Sequence, residues 1–287
     1  MRLPAALQEL LDEAIIDGVI RQLKSGKEAS VYVVRCGAEI RCAKVYKDMA
    51  QRSFQQRAQY QEGRKVRGSR DARAMAKSTR YGRKEQESAW KNAEVDALYR
   101  LVAAEVRVPR PFGFFNGVLI MEMVTDADGN AAPRLGEVEL SAEVARNYHR
   151  FLIGQIVRML CTGLIHGDLS EFNVLVDAQG PVIIDLPQAV DAAGNNNAFT
   201  MLERDVKNIT DTLGRSAPDL LETNFAAEMW ALFEQGELKP DSALTGIHVK
   251  DEAPPDLGQV VLAIEDARYQ EMLRRERESE NQNENAT

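Results

Sequence analysis

The sequence predicts an α+β fold of two lobes, the first built mainly from strands and the second mainly from helices. Its 287 residues are enough for one such domain with a substantial buried core. Hydrophobic residues make up 44% and charged residues 28% of the chain, which is typical of a globular protein. Strand-like segments dominate as far as Thr125, and helix-like segments follow. We therefore expect an N-terminal lobe over residues 1–124, a C-terminal lobe over 125–274, and a disordered polar tail over 275–287.

The N-terminal lobe is expected to combine two helices with a small sheet. Apolar residues recur at helical spacing over residues 3–15, which predicts an amphipathic helix. Strands are predicted over 31–34 and 40–46, on either side of a turn at Gly37. A second helix is predicted over 90–102. The dipeptide Asn116-Gly117 lies between the apolar runs 111–115 and 118–124, which predicts a β-hairpin.

A strongly basic segment interrupts this lobe. Residues 64–84 contain nine Lys and Arg residues and one acid, Asp71, so the segment carries a charge of +8. The whole chain carries −8, which leaves about −16 for the remainder. We interpret residues 50–85 as a mobile basic insertion. Its charge favours docking of an acidic partner over general coating of nucleic acid.

The C-terminal lobe is expected to be mostly helical. A polar linker over 126–136 precedes a long amphipathic helix over 141–163, with Ser141 as its N-cap and Glu143 in its first turn. Two short strands are predicted over 174–176 and 182–185. Further helices are predicted over residues 201–213, 218–234 and 257–274.

Cysteine and histidine usage limits the kind of site. The three cysteines are odd in number and form no C-x-x-C pair, which argues against a disulfide framework and a zinc knuckle. The three histidines are scattered, so we expect oxygen ligands for any metal, which indicates Mg²⁺. The sequence has no secretory signal and no apolar run of about 18 residues. We therefore expect a protein of the reducing cytoplasm with no membrane partner.

The strongest chemical signal is the run His-Gly-Asp-Leu-Ser-Glu-Phe-Asn over residues 166–173, followed by an apolar strand that ends at Asp185. Phosphoryl transfer needs a carboxylate near the proton of the nucleophile, and oxygen ligands that hold Mg²⁺ against the phosphates of ATP. Asp168 and Asn173 are five residues apart, the spacing of base and metal ligand in a kinase catalytic loop. Each residue alone could be a turn or a cap. Together they predict Asp168 as the catalytic base and Asn173 and Asp185 as metal ligands.

A second signal lies in the N-terminal lobe. A turn of small residues near Gly26 can lie over phosphates, and Lys44 on a later strand can reach the α- and β-phosphates. The turn has only this one glycine, so it is neither a Walker A motif nor a full G-x-G-x-x-G loop. Lys44 would lie on a buried sheet and needs an acidic partner. Glu94 is the first candidate, and Glu85, Glu87 and Asp96 are alternatives. The residues of the turn that we expect to contact ATP are Ser25, Lys27, Glu28, Ala29, Ser30 and Val31.

The adenine base is expected beside the second strand of the hairpin. This strand runs into Glu122 at the position where a kinase offers backbone groups to adenine. Met121, Glu122 and Val124 are the residues predicted there. Backbone recognition leaves little trace in a sequence, so this prediction rests on position along the chain.

These motifs together resemble the RIO family of atypical protein kinases, and most closely its first subfamily. The resemblance covers about residues 18–213. It rests on Ser-Gly-Lys-Glu-Ala at 25–29, Ala-Lys-Val-Tyr at 43–46, the helix start at 90–94, the run at 166–173, and Ile-Ile-Asp-Leu-Pro-Gln at 183–188. It implies a two-lobed protein-kinase-like fold with a trimmed C-terminal lobe and no activation segment. It also implies that Lys44 contacts ATP, that Glu122 and Val124 are hinge contacts, and that a flexible insertion precedes Glu94.

The resemblance implies an ATP-dependent serine/threonine kinase that phosphorylates itself and uses Mg²⁺, with Mn²⁺ as an alternative. Ser69, Ser78 and Thr79 in the basic insertion are the candidate acceptors. Members of the subfamily are also described as ATPases that pass through a phosphorylated metal-site aspartate, which would make Asp185 an acceptor. Eukaryotic and archaeal members act in maturation of the small ribosomal subunit, which implies a link to ribosomal RNA or the pre-ribosome. The isoelectric point of about 5.2 does not by itself support an RNA partner.

Two other functions remain as alternatives. A small-molecule kinase of the aminoglycoside or choline type shares the His-Gly-Asp motif with a later Asn and Asp. Such enzymes usually need a longer substrate cleft after the metal-site aspartate. An ATPase-driven assembly switch would hydrolyse ATP slowly and change binding through the basic insertion.

Overall fold

The computed structural model describes residues 3–26, 29–47 and 94–247. The N-terminal part contains a five-stranded antiparallel sheet with strand order β1-β2-β3-β5-β4. Its strands are β1 (Gly18–Ser25), β2 (Ala29–Cys36), β3 (Glu39–Tyr46), β4 (Pro111–Phe115) and β5 (Val118–Glu122). Strand β1 was not predicted from the sequence, because register shifts after Val19 and after Gln22 disturb its alternation of apolar and polar residues.

The first helix covers one face of this sheet. Helix α1 (Ala5–Asp12) buries Leu7 and Leu10 completely. The cluster beneath it joins residues from the sheet that share this face: Tyr32, Val34, Ala43, Val118 and Ile120. Alternate residues of a strand point to opposite faces, so the side chain of Lys44 projects from the other face. The sheet therefore presents its functional face away from α1.

The β4–β5 hairpin follows the prediction. Asn116 and Gly117 form its two-residue turn, with φ values of 48° and 80°, and Phe115 pairs directly with Val118. Both φ values are positive, as a type I′ turn requires, and Asn-Gly is the dipeptide that adopts this turn most readily. The hairpin places β5 beside β3, with Lys44 opposite Leu119.

The remaining helices are α2 over 94–103, α3 (Ala142–Cys161), α4 (Ala198–Gly214) and α5 (Phe225–Glu234). The Ser141 hydroxyl caps α3 by accepting a hydrogen bond from the Val144 N–H, as predicted. The predicted helix over 218–234 is wrong, because a 3-10 helix (Pro218–Glu222) ends before α5 begins. Between them, Asn224 donates its N–H to the carbonyl of Gly246 at 2.7 Å, which interrupts the helical hydrogen bonds.

Two small sheets hold the loops of the C-terminal part. Strands β7 (Val174–Asp177) and β8 (Gly180–Ile183) form one antiparallel pair, and β6 (Leu164–Ile165) and β9 (Val190–Asp191) form another that the sequence did not predict. The predicted strand over 182–185 was wrong at both ends, since β8 begins and ends two residues earlier. Asp185 therefore lies just beyond the strand, with a φ of 68°.

Several predictions lie outside the described residues. They are Lys27 and Glu28 of the turn, the basic insertion with its three candidate acceptors, the helix over 257–274 and the tail over 275–287. Within the described parts of the chain, none of the helices combines the length and apolar composition needed to cross a membrane.

Candidate active site

Lys44 is the centre of the site. Its Nζ atom lies 2.6 Å from Oε1 of Glu94 and 2.8 Å from Oδ1 of Asp185. Lys44 is only 7% exposed and Glu94 only 3% exposed. Burial by itself lowers the pKa of Lys44, but the two carboxylates outweigh this effect and hold the pKa above its ordinary value. The lysine therefore stays charged inside the protein.

A tyrosine that the sequence analysis gave no role holds the other oxygen of Glu94. The hydroxyl of Tyr46 donates to Oε2 of Glu94 at 2.7 Å. Both residues are buried, and burial together with the neighbouring carboxylate raises the pKa of Tyr46, so it remains a donor. Glu94 thus has both carboxylate oxygens bound, which satisfies a charge that would otherwise be costly to bury.

The loop over 166–173, predicted to be the catalytic loop, is fixed by side chains of α4. The carboxylate of Asp205, which is 1% exposed, accepts the backbone N–H groups of Gly167 at 2.7 Å and Leu169 at 2.8 Å. Arg204 donates to the Gly167 carbonyl, and Asn208 donates to the Leu169 carbonyl at 2.9 Å. Three side chains of one helix therefore bind both sides of Asp168 and set its backbone position.

The Asp168 carboxylate lies at the surface of this loop. Its Oδ2 atom accepts a hydrogen bond of 3.2 Å from Nε2 of Gln188. Partial burial raises the pKa of Asp168, and Asp185 acts in the same direction against His166 and Arg204. A raised pKa makes a carboxylate a better proton acceptor.

Asn173 and Asp185 supply the oxygen atoms that a magnesium ion prefers. Asn173 donates Nδ2 to the Asp168 carbonyl at 2.8 Å, which leaves its Oδ1 as a free ligand atom. Asp185 is bound to Lys44 through Oδ1 alone. Burial raises the pKa of Asp185, but Lys44 outweighs this effect and lowers it, so the carboxylate is charged. A neutral amide oxygen and a carboxylate fit Mg²⁺, which completes its shell with water and phosphate oxygens.

Among the described residues, no group of three or more His, Cys, Asp or Glu side chains could hold a metal ion. A site of two protein ligands plus phosphate is of a different kind, and the donor atoms of Asn173 and Asp185 agree with it.

A cavity of about 780 Å³ lies between the sheet and the catalytic loop. Nine residues predicted to bind ATP or metal, or to act in catalysis, line it: Ala29, Val31, Lys44, Met121, Glu122, Val124, Asp168, Asn173 and Asp185. Glu94 lies behind Lys44 and does not line the cavity, and neither Ser25 nor Ser30 does. The cavity is large enough for a nucleotide-sized ligand.

The turn after β1 is closed by four contacts. The Gly26 N–H donates to the Ala29 carbonyl at 2.8 Å, and the hydroxyls of Ser25 and Ser30 are 3.3 Å apart. Lys47 donates to the Gly26 carbonyl at 2.7 Å and to the Ser25 hydroxyl at 3.2 Å. Ser25 and Ser30 therefore shape the turn.

Comparison with known proteins identifies this arrangement. A family model described as the RIO domain matches residues 30–226, which is more than half of the chain. The chain belongs to the RIO family of protein kinases. The α+β protein-kinase-like fold predicted from the sequence is confirmed. Residues 186–197, which include β9, join Asp185 to α4.

Two curated relatives show the extent of the similarity. The RIO-type serine/threonine-protein kinase Rio1 of Haloferax volcanii is 33% identical over 221 residues, which cover 75% of this chain and 70% of that protein. The serine/threonine-protein kinase RIO1 of Homo sapiens is 31% identical over 207 residues, covering 71% of this chain and 35% of that protein. A solved kinase domain has a TM-score of 0.46 at 14% identity, over 82% of this chain and 68% of that one.

Four residues of the candidate site were not predicted from the sequence: Tyr46, Lys47, Gln188 and Asp205. Tyr46 lies two residues after Lys44 on the same strand face, a spacing that could have indicated it. Asp205 carried another signal, since an acid lies among the apolar positions Leu202, Val206 and Ile209 of α4. An acid on a buried helix face needs a partner.

Proposed function

We propose that this RIO kinase transfers the γ-phosphoryl group of ATP to serine or threonine hydroxyls with the help of Mg²⁺. The observation that carries the proposal is the position of Lys44. Its ammonium group is buried between Glu94 and Asp185, in the wall of a cavity that Asp168 and Asn173 also line. An ammonium fixed in this way is suited to hold the phosphates of a nucleotide.

The adenine base would lie against the end of β5. Met121, Glu122 and Val124 line this part of the cavity, and Val31 and Leu175 add apolar surface. The Val124 carbonyl accepts the Ala132 N–H at 3.0 Å, whereas the Val124 N–H has no acceptor among the described residues. This N–H would donate to the adenine edge. The nucleotide would then lie between the two lobes, whose boundary is near Thr125.

Asn173 Oδ1 and Asp185 Oδ2 would hold the metal ion against the phosphates. Mg²⁺ supplies positive charge that neutralises the phosphate oxygens during transfer. Mn²⁺ accepts the same oxygen ligands and could replace it. Lys44 keeps Asp185 charged, so the ligand atom is available over the physiological pH range.

Asp168 would act on the nucleophile. Its Oδ1 atom accepts the proton of the acceptor hydroxyl while the hydroxyl oxygen forms a bond to the γ-phosphorus. The bond between the γ-phosphorus and the β–γ bridging oxygen breaks, and ADP leaves with that oxygen. The raised pKa of Asp168 favours this proton transfer.

The acceptors we propose lie in the chain itself, at Ser69, Ser78 and Thr79. The described residues that flank the segment carrying them lie near the proposed phosphate-binding region. Lys47, just before it, binds Gly26 of the turn, and Glu94, just after it, binds Lys44. Phosphorylation would reduce the positive charge of this segment and weaken its attraction for an acidic partner, such as ribosomal RNA in a pre-ribosome.

ATP hydrolysis is the second candidate function. The side chain of Asp185 is 48% exposed despite its bond to Lys44. Its Oδ2 atom could attack the γ-phosphorus with loss of ADP, and water would then hydrolyse the acyl phosphate to regenerate the carboxylate and release phosphate. A small-molecule acceptor is less favoured, because the family that the chain belongs to is one of protein kinases.

One experiment separates these functions. The purified chain is incubated with γ-labelled ATP and Mg²⁺, and acid-stable label on protein is measured together with free phosphate. The Asp168→Ala variant is the negative control, and Asp128→Ala, which changes an exposed loop, is the matched control. We expect acid-stable label in the wild type and in Asp128→Ala only. Free phosphate with little stable label would favour the ATPase. The absence of both products would refute both functions.

A further inference from the structure

The Asp168 carboxylate has a single side-chain partner in the described part of the chain. This partner is Gln188, whose Nε2 donates to Oδ2 at 3.2 Å. The nearby cations are engaged elsewhere, since Arg204 donates to the Gly167 carbonyl and Lys44 binds Glu94 and Asp185. The Asp168 carboxylate is thus hydrogen-bonded by a neutral amide, and no Lys or Arg side chain within the described residues pairs with it directly.

Gln188 is itself held firmly against the catalytic loop. A Cβ atom on Gly167 would lie 2.7 Å from the Gln188 carbonyl oxygen, so the two backbones approach as closely as glycine permits. The Gly167 φ of 80° also favours glycine at this position. The Ala189 N–H donates to the Leu186 carbonyl at 3.1 Å, which makes a turn around Gln188. Its half-buried side chain therefore starts from a fixed backbone.

We propose that Gln188 is a positioning residue that orients the Asp168 carboxylate for proton acceptance. By binding Oδ2, the amide fixes the rotation of the carboxylate and leaves Oδ1 for the acceptor hydroxyl. A neutral donor does this without the opposing charge of Lys or Arg, which would weaken Asp168 as a base. The inference rests on the proposed phosphoryl transfer and extends it to a residue outside the catalytic loop.

The kinetic test uses two substitutions of similar size. Gln188→Met removes the amide donor, and Gln188→Glu replaces it with a group that repels Asp168. Gln179→Met and Gln179→Glu make the same changes at an exposed position in the β7–β8 turn. We expect both Gln188 variants to lower kcat about 10-fold or more, with KM for ATP within about twofold of wild type, because the hydrogen bond serves the transition state rather than nucleotide binding.

A double variant tests whether Gln188 acts through Asp168. In an Asp168→Ala background, Gln188→Met should cause no further loss of the residual rate. A Gln188→Met protein with wild-type kcat, or a further loss in the double variant, would overturn the proposal. Matching thermal unfolding temperatures exclude a folding defect as the cause.

A spectroscopic readout makes the test independent of turnover. In ¹⁵N-labelled protein, the side-chain amide signals of Gln188 are assigned by their loss in Gln188→Met. They should shift in Asp168→Ala and remain in place in Asp128→Ala. Unshifted signals in Asp168→Ala would refute the contact even in an active enzyme. If the signals shift in Asp168→Ala as expected but the wild-type protein turns over no ATP, the contact would stand and the proposed function would be refuted.

Discussion

Lys44 and Glu94 are 50 residues apart in the chain and joined by a hydrogen bond of 2.6 Å. Both residues are almost fully buried, so the pair is shielded from water and salt. Breaking such a pair on one side leaves a buried charge without compensation. The pair therefore links the stability of the sheet to the geometry of the nucleotide cavity.

Glu94→Gln should impair both stability and nucleotide binding. The neutral amide leaves Lys44 with Asp185 as its remaining charged partner, at a cost of about 3 kcal/mol or more. We expect a lower thermal unfolding temperature and an increase in KM for ATP of about 10-fold or more. Glu139→Gln removes an exposed acid and should change neither. Wild-type KM in Glu94→Gln would show that Asp185 suffices to place Lys44.

Tyr46→Phe should act more mildly. It removes one hydrogen bond to a charged carboxylate, worth about 1.5–3 kcal/mol, and keeps the ring. Chemical denaturation should show a loss of unfolding free energy in this range. Tyr99→Phe is the control, since Tyr99 is 47% exposed. Equal stability of Tyr46→Phe and Tyr99→Phe would contradict the role of the phenol in holding Glu94.

Lys47→Met should loosen the turn after β1. Lys47 binds the Gly26 carbonyl and the Ser25 hydroxyl, and Met keeps the apolar stem without the charge. KM for ATP should rise about fivefold with kcat nearly unchanged, because a looser turn orders on nucleotide binding. The control is Lys207→Met, which removes an exposed ion pair with Asp211. A lower kcat at constant KM would show that Lys47 acts on the chemical step instead.

Asp205→Asn should displace the catalytic loop. Asp205 accepts two backbone N–H groups, and Asn would turn one NH₂ group toward a donor. One unsatisfied buried group costs about 1–3 kcal/mol. We expect a drop in unfolding temperature together with a kcat reduced about 10-fold or more. Asp211→Asn, on the exposed side of the same helix, should leave both values at wild type.

His149 should make stability depend on pH. This residue is 2% exposed, and burial lowers its pKa from 6.5 to about 4, while its ring binds the Thr210 hydroxyl at 2.9 Å. The unfolded chain binds the proton more readily, so the contribution is complete above about pH 6.5 and is lost as the pH falls toward 4. The loss amounts to about 3 kcal/mol at most.

The measurement is the unfolding free energy between pH 4 and 8. His149→Gln should flatten the profile between pH 4 and 6.5 relative to wild type. An unchanged slope in this variant would assign the pH dependence to other groups.

Much of the local structure was predictable from the sequence. The Asn116-Gly117 turn, the Ser141 cap and the spacing from Asp168 to Asn173 depend on residues that are close in the chain, whose geometry follows from local sterics and hydrogen bonding. Strand β1 was missed because bulges disturb its alternation of apolar and polar residues. Strands β6 and β9 were missed because a strand of only two residues carries no periodic signal. The break before α5 depends on Gly246, a distant residue.

The sequence by itself determined which residues could do the chemistry, and the tertiary structure decided which of them meet. Glu94 and Asp96 both follow the basic segment, and either could have paired with Lys44. Residues two positions apart in an α-helix, such as these two acids, project about 200° apart around the helix axis. Only one of them can therefore face the sheet. The packing of α2 buries Glu94 and leaves Asp96 exposed. Likewise, Gln188 reaches Asp168 because a glycine lets two loops approach, a contact that no local pattern records.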